Sequence, residues 1–117
     1  MIIGTGIDIV ELKRISDVMN RNLSFVSRIL TEKERALFNP LTERRKVEFL
    51  AGRFASKEAF AKAVGTGIGK HLSWQDIEVI PDPNGKPMIL SKIEYGKIHL
   101  SISHSKEYAL ANVIIEK

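Results

Sequence analysis

Residues 53–69 read RFASKEAFAKAVGTGIG, and this stretch decides how the rest of the chain is parsed. Gly65 supplies a natural helix stop. Upstream, Val47, Leu50, Phe54, Ala55 and Ala59 are the apolar positions of a helix expected to run from near Thr42 to about Val64. Beyond the glycines the period changes. Asp76–Pro81 and Pro87–Leu90 read as paired strands, with Asn84-Gly85 at the tip of the turn PDPNGKP. Ile98–Ser103 and Tyr108–Ile115 read as two more strands joined by a polar turn.

Before the long helix, residues 2–9 alternate as a strand. Ile3, Thr5, Ile7 and Ile9 fall on one face, and Gly4, Gly6 and Asp8 on the other. The two glycines are expected to leave open space beside the Asp8 carboxylate. Residues 11–20 carry Leu12, Ile15, Val18 and Met19 at helical spacing. Asn22 can cap a short helix holding Phe25, Val26 and Ile29, and Thr31 with Glu34 has capping-box spacing for another, ended by Pro40. The fold class is therefore α+β, with helices packed on a small antiparallel sheet, in one domain spanning 1–117.

Composition narrows the function. The chain has 117 residues, no cysteine, and a net charge of +4. Disulfides and zinc-thiolate sites are excluded. No apolar run reaches membrane-span length, and MIIGTGIDIV lacks a signal-peptide pattern, so a cytoplasmic location is expected. All seven arginines lie in residues 11–53, which hold ten Lys/Arg against six Asp/Glu. That clustering points to an acidic partner. A nucleic-acid-binding module is the competing reading, but the tryptophan and tyrosines are not interleaved with the basic residues.

Three places could carry chemistry. Glu58 and Lys62 lie one helical turn apart. As a plain surface pair they would contribute only ~0.3–0.5 kcal/mol. Next to a glycine loop they could instead face a phosphate. GTGIG lacks P-loop spacing, yet its backbone N–H groups could approach an anion closely. In HLSISHS, His99, Ser101, Ser103 and Ser105 share one face, and Leu100, Ile102 and His104 the other. No nucleophile elbow accompanies them, so phosphate binding fits better than a Ser-His hydrolase. A magnesium-dependent phosphodiesterase would use the same carboxylates on another phosphate.

Taken together, G-I-D at 6–8, F-A-S-K-E-A-F-A-K at 54–62, G-T-G-I-G at 65–69 and S-I-S-H-S at 101–105 resemble the short phosphopantetheinyl transferases over essentially the whole chain. The resemblance implies transfer of 4'-phosphopantetheine from coenzyme A to a serine of an acidic acyl carrier protein, in fatty acid biosynthesis. It implies Mg2+ held by Asp8 and Glu58. Lys62 would assist the leaving phosphate, and Glu58, acting through a water, would take the hydroxyl proton. Arg53, Lys62, Gly65, Gly67, Ser103, His104 and Ser105 are the implied coenzyme A contacts. Arg14, Arg21, Arg28 and Arg45 would meet the carrier's acidic helix, with Ile15, Met19 and Phe25 as apolar contacts. A homotrimer with sites between subunits is implied as well, with neither nucleic acid nor membrane as partner.

Overall fold

The computed structural model describes residues 1–117. In chain order the elements are β1 (Ile2–Glu11), α1 (Leu12–Arg21), α2 (Ser24–Ile29), α3 (Glu32–Phe38) and α4 (Glu43–Val64). A 3-10 turn (Trp74–Asp76), β2 (Ile77–Pro81), β3 (Pro87–Ser91), β4 (Lys97–His104) and β5 (Tyr108–Glu116) follow. The strands form two antiparallel sheets, a three-stranded one ordered β1-β5-β4 and the hairpin β2-β3. The hairpin's 3-10 lead-in and the division into two sheets differ from the expected architecture.

Helix α4 is the axis of the molecule. Thr42 caps its start by accepting from Arg45 N, and Gly65 ends it at φ 100°, a backbone conformation that L side chains rarely adopt. Leu50, Ala55 and Ala59 are wholly buried, as their spacing predicts, while Val47 and Phe54 are half-buried. Thr31 and Glu34 form the expected capping box of α3. At α2 the cap position is Leu23, not Asn22. Asn22 sits one residue earlier and its Oδ1 accepts from Ser24 N at 3.2 Å and Ser24 Oγ at 2.7 Å.

The two faces of β1 overturn one expectation. The glycine face has no open space, because α4 lies directly on it. A Cβ added at Gly4 would overlap the Ala63 carbonyl oxygen, and one at Gly6 the Ala59 carbonyl oxygen. The glycines exist to let helix backbone meet strand backbone, and what approaches Asp8 is the helix itself. The isoleucine face points outward instead. Ile3, Ile7 and Ile9 remain 51%, 57% and 59% exposed.

Candidate active site

The approach of α4 to β1 creates the site. Asp8 follows the glycines on the inner face of β1, and Glu58 and Lys62 lie on the edge of α4 nearest to it. Lys62 Nζ donates to Asp8 Oδ1 at 3.1 Å and to the Ile7 carbonyl at 3.0 Å. The i,i+4 ion pair with Glu58 is therefore replaced by a long-range pair with Asp8. Glu58 is half-buried, and its carboxyl is pushed above the ordinary glutamate range. Desolvation is the main cause, the Asp8 charge adds to it, and Lys62 opposes it. Two carboxylates that repel each other, with one lysine paired to Asp8, make a place where added positive charge is favoured.

This donor set suits Mg2+. The ion takes oxygen ligands, commonly one or two carboxylates, and completes its shell with waters and substrate phosphates. Asp8 and Glu58 do not make a metal cage by themselves, and no group of three or more His, Cys, Asp or Glu in the chain does.

Arg53 points elsewhere. Five residues before Glu58, it lies ~140° away around the helix. Its Nε donates to the Val79 carbonyl at 3.3 Å, and its guanidinium stacks 3.8 Å from the Phe49 ring centroid. Burial pushes its pKa down and Glu34 pushes it back up. Arg53, His104 and Arg45 line one cleft of about 420 Å3, walled by Phe49, Pro81 and Pro87. His104 Nε2 lies 3.8 Å from Glu48 Oε2 at its rim. A cationic cleft with apolar walls has the chemistry to take a phosphorylated nucleoside.

Other expected site residues do not converge on one point, and alternation along β4 already separates two of them. Ser103 faces the outer side of the sheet, away from His104, opposite Leu110. Ser105 Oγ is spent on a turn, accepting from Glu107 N at 3.3 Å and Tyr108 N at 3.1 Å. The three therefore do not form one phosphate cluster. The backbone N–H groups of Gly65 and Gly67 both donate to the Ala61 carbonyl, and that of Gly69 to Leu72, so these donors close the helix and its loop. What Gly65 and Gly67 offer is room: a Cβ at either would meet nothing within 4 Å.

On the proposed docking side, Arg14, Arg21 and Arg28 are exposed. Ile15 and Met19 are not available to a partner, being 2% and 8% exposed in the core. Their i,i+4 spacing marks the inner stripe of α1. Phe25 is half-buried, with its ring 6.1 Å from that of Phe54. Leu23, 84% exposed between α1 and α2, is the apolar side chain that periodicity missed, because it belongs to neither helix. Arg45 lines the Arg53 cleft.

Comparison with known proteins supplies the family. Residues 4–113 match the family model described as the 4'-phosphopantetheinyl transferase superfamily. The chain is 60% identical over 117 residues to a holo-[acyl-carrier-protein] synthase of Geobacillus sp. (strain WCH70), covering all of this chain and 98% of the relative. It is 56% identical over 118 residues to the Bacillus subtilis protein of that name, with the same coverage. Among solved structures, the synthase of Bacillus anthracis in complex with CoA (3',5'-ADP) superposes with a TM-score of 0.91 at 54% identity, over 97% of this chain and 96% of that one. The Helicobacter pylori enzyme in complex with coenzyme A gives 0.84 at 35% identity, over 96% and 99%.

Proposed function

The chain belongs to the 4'-phosphopantetheinyl transferase superfamily, and from that premise we propose a division of labour among its residues. The reaction is transfer of the 4'-phosphopantetheine group from coenzyme A to a serine of apo acyl carrier protein, which yields holo carrier and 3',5'-ADP. The single observation that carries the site assignment is the meeting of Asp8, Glu58 and Lys62, with Lys62 paired to an acid 54 residues away.

Asp8 and Glu58 are the residues to hold Mg2+. The bound ion would neutralise charge on the diphosphate of coenzyme A. Lys62, 51% exposed and anchored only at its tip, can swing from Asp8 to the departing phosphate of 3',5'-ADP. Glu58, acting through a water, is the residue to take the serine proton. Arg53 and His104 are the residues for the phosphates at the nucleotide end. The space over Gly65 and Gly67 lets the pantetheine arm pass close to the backbone.

Two features support a homotrimer with sites shared between copies. Arg53 and Glu58 face different directions from α4, so one chain does not surround a single coenzyme A. The outward isoleucines of β1 also offer an apolar face that a second copy would cover. The exposed Arg14, Arg21 and Arg28, together with Leu23, suit the acidic carrier. Residues 1–117 act as one transferase domain, serving fatty acid biosynthesis in the cytoplasm. No helix is long and apolar enough to cross a membrane.

The test is direct. Purified protein with coenzyme A, Mg2+ and apo carrier protein is expected to add phosphopantetheine to the carrier, followed by mass. Asp8→Ala is expected to abolish the adduct without unfolding the protein. Near-normal turnover in that variant would remove the metal assignment, and no adduct on any carrier from the intact protein would remove the functional reading.

A further inference from the structure

Behind α4 lies a polar cluster that takes no part in the chemistry above. Lys57 is two turns beyond Leu50, in the phase of the core, and has no solvent exposure. Its ammonium uses all three protons. Nζ donates to the Ile29 carbonyl at 2.6 Å, to Glu34 Oε1 at 2.7 Å and to the Trp74 carbonyl at 3.1 Å. Glu34 is equally buried, and accepts from Thr31 N at 2.8 Å and from Val79 N at 2.7 Å. The carbonyl of that same Val79 accepts from Arg53. A single ion pair thus ties the end of α2, the start of α3, the 3-10 turn and β2 to α4.

Such a pair is a poor device for stability, since desolvation offsets most of its Coulombic gain and apolar residues of like volume often do as well. It is a good device for position, because three segments must converge on one ammonium and a fourth, β2, on its carboxylate partner. Across the helix, Gly4 and Gly6 lie against the carbonyls of Ala63 and Ala59. Between these two contacts α4 can neither rotate nor slide without breaking one. Glu58 is the next residue after Lys57, and a misplacement of ~1 Å at a reacting group can cost on the order of a hundredfold in rate.

We propose that the buried Lys57–Glu34 pair is a positioning device. It fixes the rotation of α4 so that Glu58 and Lys62 meet Asp8, and through Val79 it holds β2 against Arg53. The proposal rests on the transfer reaction described above, so its test also has an arm that needs no reaction. Lys57→Met strands Glu34 as an unpaired buried charge and is expected to unfold easily. Lys57→Met/Glu34→Gln removes both charges and keeps side-chain volume. It is expected to unfold cooperatively in urea, while kcat falls about tenfold or more at a temperature where it is fully folded. Amides of residues 58–64 should exchange with solvent deuterium about tenfold faster than in the parent.

Turnover within about twofold of the parent, or unchanged exchange in residues 58–64, overturns the proposal. If the double variant does not fold, Glu34→Asp decides. It keeps the charge opposite Lys57 but is one methylene shorter and withdraws the acceptor from Val79 N, so KM for coenzyme A should rise more than kcat falls, and an unchanged KM overturns the proposal. A parent protein without transferase activity would refute the functional reading, while the exchange arm still decides whether the pair positions α4.

Discussion

At the scale of single residues, Glu58 is a side chain whose environment works against its charge. Its folded-state pKa is raised by desolvation and by Asp8. Between the unfolded and folded pKa values the native protein therefore binds more protons than the unfolded chain. Stability must fall as pH rises through that window, and the contribution is fully present only below the unfolded pKa. Glu58→Gln abolishes the penalty. In chelator-treated protein, thermal melts should show the variant more stable than the parent at neutral pH and the two converging in acid, while transferase activity is lost. A parent that is as stable as the variant at neutral pH would mean that the Glu58 charge is not strained. Helical spacing alone joined Glu58 to Lys62, while Asp8, 50 residues earlier, entered the group only through the resemblance of the motifs to the family. Gly65 and Gly67 were legible as a bend, but no pattern in the sequence says that their N–H groups are already spent on Ala61.

At the scale of elements, the contact between β1 and α4 sets everything downstream. The helix end, its capping, the four later strands and the capping box of α3 were readable, because each depends on residues close in sequence. The inner face of β1 was not. Alternation shows which residues share a face and not what covers it, and glycines read equally well as open space or as a close approach. The same limit hid Lys57, since a lysine in the phase of Leu50 looks like a solvated side chain until Glu34, Ile29 and Trp74 are brought around it. The packing makes a firm prediction. Gly6→Ala places a methyl group into the backbone of α4 at Ala59, where no flexible side chain can yield. The expected cost is about 3 kcal/mol or more, read as a lowered urea midpoint. Gly52→Ala, by contrast, would bring its Cβ to 3.5 Å from the Ile102 side chain, an ordinary contact, and should be nearly neutral or slightly stabilising. Equal losses from the two substitutions would show that close backbone approach is not what Gly6 provides.

At the scale of the whole molecule, β1 is built inside out for an isolated subunit. Its glycines face the core and its isoleucines face away, with Ile3, Ile7 and Ile9 each more than half exposed. A chain that worked alone would gain by exchanging the two faces. The arrangement makes sense if further copies cover the outer sheet, and that same assembly would bring Arg53 and His104 of one copy toward Asp8 and Glu58 of another. Ile3→Glu lies well along the strand from Asp8 and touches none of the proposed catalytic groups. It should reduce the sedimenting species to the 13.1 kDa chain and lower turnover with it, although every acid and lysine of the site is intact. Subunit mixing makes the geometry explicit. Glu58→Ala and Arg53→Ala, each inactive alone, should regain part of the parent activity after being dissociated and reassembled together. Some interfaces of the mixed assembly would then pair an intact Glu58 with an intact Arg53. Two inactive variants that stay inactive when mixed would place both residues in a site completed by one chain.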